Sequence, residues 1–131
     1  MKNILTFLTL ALFSSCVLFS QTNDNSTIED YRKEIIGTWI NENNSNTKIE
    51  FTNDGKIKRY FKNTLKFINK YYISRTCDGE MISLNKGYFL KTITNKGNEF
   101  CAYIEGLNYE NNGLFSIMTK NQGKIVVYKK Q

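Results

Sequence analysis

The sequence predicts an all-β protein, an eight-stranded antiparallel up-and-down barrel with one short N-terminal helix. Three observations carry that expectation. Apolar and polar residues alternate in strand-length segments from Trp39 to the end of the chain. Those segments are separated by Asn- and Gly-rich turn signals such as Asn53-Asp54-Gly55, Asn111-Asn112-Gly113 and Asn121-Gln122-Gly123. After Gly37 there is no helical pattern long enough for the crossover that parallel strands require.

Residues 1–20 read as a signal peptide. Lys2 supplies a charged start, and an apolar run from Ile4 continues into small polar residues at Ser20. The run is short for a membrane span, and no second one follows. Cleavage near Ser20 predicts a secreted or periplasmic protein. The alternative is processing at Leu12-Phe13-Ser14-Ser15-Cys16, which resembles a lipobox and would anchor Cys16 in the outer membrane. Residues 21–27 are wholly polar and are expected to form a disordered leader, with the barrel domain over 28–131.

Thr27 begins the helix signal, with Asp30 three residues on in a capping-box arrangement. Ile28, Tyr31, Ile35 and Ile36 fall on one face, and Gly37 ends the helix. Trp39-Ile40 opens the first strand. Residues 48–52 and 56–62 form a hairpin about Asn53-Asp54-Gly55, and 66–74 make the fourth strand. Asp78-Gly79 signals a further reversal. Residues 88–94, 99–107, 114–119 and 124–129 complete the eight. A meander of this length closes into a barrel, which removes exposed edges and leaves an interior wide enough to be packed by side chains or to hold one small ligand.

Cys77 and Cys101 remain once Cys16 is removed or lipidated. In an oxidising compartment they are candidates for a disulfide closing a loop of about 25 residues, and two free thiols in the barrel wall are the other reading. Removing Lys2 with the signal leaves seventeen basic and twelve acidic residues. That excess suits either a plain solvated surface or an acidic partner. The densest basic run, 56–62, interleaves Lys56, Lys58, Arg59 and Lys62 with aromatics. It reads as a wall strand with its charges outward, and nucleic acid is not an expected partner for a secreted protein.

Catalytic readings start from a deficit. The chain has no histidine, which removes the commonest general base and metal ligand. Carboxylate pairs such as Asp78 with Glu80, or Glu105 with Glu110, fall at turns and strand ends, where solvated surface is the ordinary explanation. The chain is therefore expected to be non-enzymatic, with no cofactor and no metal. Candidate lumen residues are Trp39, Phe51, Phe61, Tyr72, Phe89, Tyr103, Phe115 and Met118, any of which would also serve to fill a packed core.

Several short motifs, in this order, resemble the lipocalin-like proteins secreted by Bacteroidetes. They are Ile36-Gly37-Thr38-Trp39 after a short helix, the Phe51-Thr52-Asn53-Asp54-Gly55-Lys56 hairpin, Tyr72-Ile73-Ser74 before Cys77, and Tyr88-Phe89-Leu90-Lys91. Cys101, Gly106-Leu107-Asn108-Tyr109 and the closing Tyr128-Lys129-Lys130 follow. The resemblance implies a calyx whose bottom is closed by the helix and Trp39, with Lys129 or Lys130 stacked on the tryptophan. The long C-terminal helix of full lipocalins has no counterpart. The implied role is binding of a small hydrophobic or amphipathic ligand by a monomer. The alternative is an envelope interaction module in which a packed barrel contacts a protein, a glycan or an anionic lipid surface.

Overall fold

The computed structural model describes residues 26–84 and 86–131. The segment expected to be a signal peptide, the two expected processing positions and residues 21–25 of the expected leader lie outside the described residues.

Helix α1 (Ile28–Ile35) begins at the capping box. The Asp30 amide donates to Thr27 Oγ1 at 3.2 Å, and the Thr27 amide donates to Asp30 Oδ2 at 2.8 Å. The Thr27 hydroxyl also donates to Asp30 Oδ2 at 2.7 Å, and this bond, with the Thr27 amide next, lowers the Asp30 pKa. Ile35 is buried, and Ile28 and Tyr31 pack on the same core. Gly37 then adopts φ +127°, a region L side chains avoid, and turns the chain from helix into barrel.

The barrel strands are β1 (Gly37–Asn41), β2 (Thr47–Phe51), β3 (Lys56–Phe61), β4 (Thr64–Ser74), β7 (Phe89–Ile93), β8 (Glu99–Leu107), β9 (Leu114–Thr119) and β10 (Ile125–Lys130). Two short strands, β5 (Thr76–Cys77) and β6 (Glu80–Met81), form a separate hairpin between β4 and β7. Each barrel strand pairs antiparallel with the next, and β10 returns to β1 through Trp39 opposite Lys130, closing the cylinder. The turn signals fall where the sequence places them, and the β3–β4 turn is made by Lys62 and Asn63, both at positive φ. A bulge at Lys66 separates the Arg59–Phe67 pair from the Tyr60–Leu65 pair, and a second at Glu105 bends β8.

One end of the barrel is filled with aromatic rings. Phe51 meets Tyr71 at 4.9 Å between centroids and Phe115 at 5.8 Å, and Phe115 meets Trp39 at 5.4 Å and Tyr128 at 5.9 Å. Ile35, Ile49, Ile57, Ile73, Tyr88, Leu90 and Ile104 complete this core. Trp39 is fully buried, donates its indole N–H to the Ile35 carbonyl at 2.7 Å, and lies under the Lys130 ammonium at 5.1 Å. The tryptophan thus joins helix, first strand and last strand at the closed end, and Lys130 supplies the basic partner.

The β5–β6 hairpin folds back over the outside of the wall. Asp78 and Gly79, both at positive φ, make its turn. Cys77 and Cys101 form a disulfide that ties it to β8. Cys77, Ile82 and Phe89 are buried beneath it as a second, smaller core, with Tyr103 at its edge. A disulfide of this kind belongs in an oxidising compartment. No helix among the described residues is long and apolar enough to cross a membrane.

Candidate functional site

Away from Trp39 the barrel holds a cavity of about 960 Å³. Its floor is apolar: Ile49, Ile57, Leu90, Ala102, Ile117 and Tyr128. Toward the mouth the lining is mixed, with Arg59 opposite Phe67, Thr92 opposite Phe100, and Asn69 and Thr119 beside them. The rim is made by the β7–β8 turn, residues 94–98, and the β9–β10 turn, residues 120–122. Both turns lie at the ends of their strands remote from α1, so the lumen opens opposite the helix and tryptophan plug. Alternation explains the arrangement. Residues that bury themselves at the closed end continue on the same face toward the mouth, where no second layer covers them.

The eight sequence candidates do not form one site. Trp39, Phe51 and Phe115 belong to the aromatic floor core. Phe61 shares the face of Ile57 and Arg59 but ends its strand half-exposed, beneath the Lys62 ammonium at 5.7 Å. Tyr72 lies between Tyr71 and Ile73, both core residues, and therefore points outward, 46% exposed. Met118 follows Ile117, which packs on the core, and likewise faces out. Phe89 precedes the core residue Leu90 and also faces out, yet it is fully buried because the β5–β6 hairpin covers it. The Tyr103 ring meets Phe89 at 4.7 Å, tilted 39°, on that same outer wall. Tyr72, Phe89, Tyr103 and Met118 are thus one position off the inward face, and only Phe89 and Tyr103 are covered, because the hairpin buries their outer face.

The basic run of β3 is divided between two faces. Lys58 pairs with Glu50 at 3.5 Å on the outer wall, and Lys56 pairs with Asp54 at 2.8 Å at the hairpin. The Lys56 contact, followed by the Thr52 hydroxyl, lowers the Asp54 carboxyl to about 2. Arg59 instead takes the lumen face, opposite Ile49 on β2 and Phe67 on β4. Its guanidinium stands 5.9 Å from the Phe67 ring. It also partly offsets the rise that burial imposes on the Tyr128 phenol. This residue was expected to point outward with its neighbours. Counting alternate positions from Ile57, which pairs with Phe51 across the Gly55 turn, is the signal that places it inside.

The acidic groups of the lining lie toward the hairpin. Glu99 meets Lys91 at 3.0 Å and accepts the Asp78 amide at 3.1 Å, and both contacts lower its pKa, Lys91 more. Lys120 meets Glu80 at 3.1 Å and Asp78 at 3.5 Å. Tyr103 donates its hydroxyl to Glu80 at 2.5 Å, and this bond, with Lys120 next, lowers the Glu80 pKa. Asp78 and Glu80, paired in the sequence, are thus brought together as tethers of the hairpin. The one cluster of potential metal donors among the described residues is Cys77, Glu99 and Cys101. Its two sulfurs are bonded to each other, which leaves a single carboxylate and no chelating set.

Searches of protein-family models, of curated proteins and of solved structures find no match to this chain. The closed eight-stranded antiparallel barrel with strands in sequence order is consistent with a lipocalin-like fold.

Proposed function

We propose that the protein is a secreted, non-enzymatic lipocalin-like carrier that binds one small hydrophobic or amphipathic molecule in its lumen. The observation that carries this reading is the cavity of about 960 Å³ with an apolar floor, open at the end opposite Trp39. Ligand pockets run from roughly 300 to 1,000 Å³ and combine apolar walls with a few polar groups. A barrel that served only to present its outer surface would have no use for unfilled lumen space, since packing it would stabilise the fold. Secretion is supported by the Cys77–Cys101 bridge together with the apolar run at residues 4–12. The non-enzymatic reading is supported by the placement of Asp78 and Glu99, the carboxylates of the lining, each held by a lysine rather than buried with a polar partner.

Native mass spectrometry of protein purified from its own source tests the proposal. A noncovalent small molecule that is released on denaturation is the expected result. Protein that carries nothing and takes up no apolar fluorescent probe would sink it.

A further inference from the structure

We infer that the lumen selects a single-chain amphiphile with an anionic headgroup, which Arg59 holds while the hydrocarbon lies on Ile49, Ile57, Leu90, Ala102 and Ile117. This rests on the reading of the lumen as a ligand site and narrows the class of its ligand.

Lack of a charge partner, together with a place opposite Ile49 and Phe67, points to Arg59. The acidic groups of the lining, Asp78 and Glu99, are engaged by Lys120 and Lys91. No carboxylate among the described residues lies within ion-pair distance of Arg59, although it stands on the lumen face between Ile57 and Phe61. Two further lining cations, Lys66 and Lys96, stand nearer the rim and are likewise without a carboxylate partner there. The inner surface therefore carries positive charge that the fold does not neutralise.

An unpaired guanidinium costs little while water fills the open lumen. A neutral hydrophobe entering that space would strip the water and leave the cation beside Ile49, Phe67 and Tyr128 without compensation. An anion entering with the same chain would replace that water with charge-assisted hydrogen bonds, and the planar guanidinium fork matches carboxylate and phosphate oxygens. The Phe67 ring, 5.9 Å from the guanidinium, helps to hold it in place. The site thus discriminates by penalising the wrong ligand as well as by rewarding the right one.

The test compares dodecanoate, dodecyl phosphate, dodecanol and dodecyltrimethylammonium on the intact protein, each below its micellar concentration, by calorimetry and by displacement of an apolar fluorophore. Arg59→Gln is the test variant. Lys70→Gln is the charge-matched control, since Lys70 precedes the core residue Tyr71 and faces outward. The two anions are expected to bind about 10- to 100-fold tighter than dodecanol. Arg59→Gln should erase that preference while keeping dodecanol affinity, and Lys70→Gln should retain it. A preference for dodecyl phosphate over dodecanoate would mark the headgroup as phosphate, and the reverse would mark it as carboxylate. Equal affinity for anions and dodecanol, or a preference that survives Arg59→Gln, overturns the inference and leaves the lumen reading standing. No binding by any of the four overturns both. Should Arg59→Gln fail to fold, the wild-type protein decides: dodecyltrimethylammonium binding as tightly as dodecanoate refutes an anion site.

Discussion

Trp39 shows how much a single side chain carries at the closed end. Its ring packs on Phe115, its N–H satisfies a carbonyl in the last turn of α1, and Lys130 caps its face. Trp39→Phe keeps most of the apolar area but leaves the Ile35 carbonyl buried without its donor. A loss of about 1–3 kcal/mol is expected in chemical denaturation, with ligand affinity unchanged because the mouth is remote. An unaltered midpoint would mean that the indole N–H bond contributes nothing to stability. The role of Trp39 was legible in the sequence because Gly37-Thr38-Trp39 follows a capped helix, and a terminal lysine was expected over it. Arg59 was not legible in the same way. Its neighbours Lys58 and Tyr60 do face outward, and composition alone assigns the whole basic run to solvent. Only strand parity, carried over the Gly55 turn from Phe51, separates Arg59 from them.

Among the elements, the hairpin of β5 and β6 is the one that the sequence half concealed. Asp78-Gly79 marked a reversal, but strands of two residues have no periodicity to read. Their position is set by tertiary contacts: the disulfide, Ile82 on Phe89, and the Glu80, Glu99 and Asp78 tethers. The same hairpin explains why Phe89 and Tyr103 resemble lumen residues in sequence, since it buries an outer face. Replacing Cys77 and Cys101 together by Ser removes a closure of about 25 residues and is expected to cost about 3 kcal/mol, read as a lowered midpoint under non-reducing conditions. A double variant as stable as the parent would show that the noncovalent contacts suffice. Acid should release the hairpin separately. Tyr103 and Lys120 lower the Glu80 pKa, and Lys91 and the Asp78 amide lower that of Glu99. A depressed carboxyl contributes stability that is fully present above its unfolded value, 4.5 for glutamate, and lost as pH falls through the folded one. The melting temperature of wild type should therefore exceed that of Glu80→Gln near neutrality and converge with it below about pH 4.5. A gap that persists to about pH 2 would assign the effect to packing rather than charge.

Across the whole molecule, the barrel was legible because every connection between barrel strands except the β4–β7 segment is a short loop of six residues or fewer with Asn or Gly in it, and a meander of eight strands has one economical way to hide both edges. The state of the lumen was not legible, because the residues that would pack it and the residues that would line it are of the same kinds. What separates them is depth. Trp39, Phe51, Phe89 and Phe115 are fully buried toward the closed end or beneath the hairpin, whereas Phe67 is 39% and Phe100 is 56% exposed near the mouth. Stability should follow that gradient, since segments with few buried contacts open locally at lower free energy than the packed core. In hydrogen exchange, amides of β1, of β2 near Phe51 and of β9 near Phe115 should exchange only by global unfolding. Those of residues 94–98 and 119–124 should exchange far faster. A ligand that binds the folded barrel alone raises its stability by an amount set by concentration over affinity, about 2.7 kcal/mol at a hundredfold excess over Kd. If that ligand sits in the lumen, dodecanoate should slow exchange most at the mouth turns and at Thr92 and Thr119 that line the cavity, and should protect the β5–β6 hairpin far less. Protection confined to the hairpin or to the outer wall of β3 and β4 would place the ligand outside the barrel and argue against a luminal carrier.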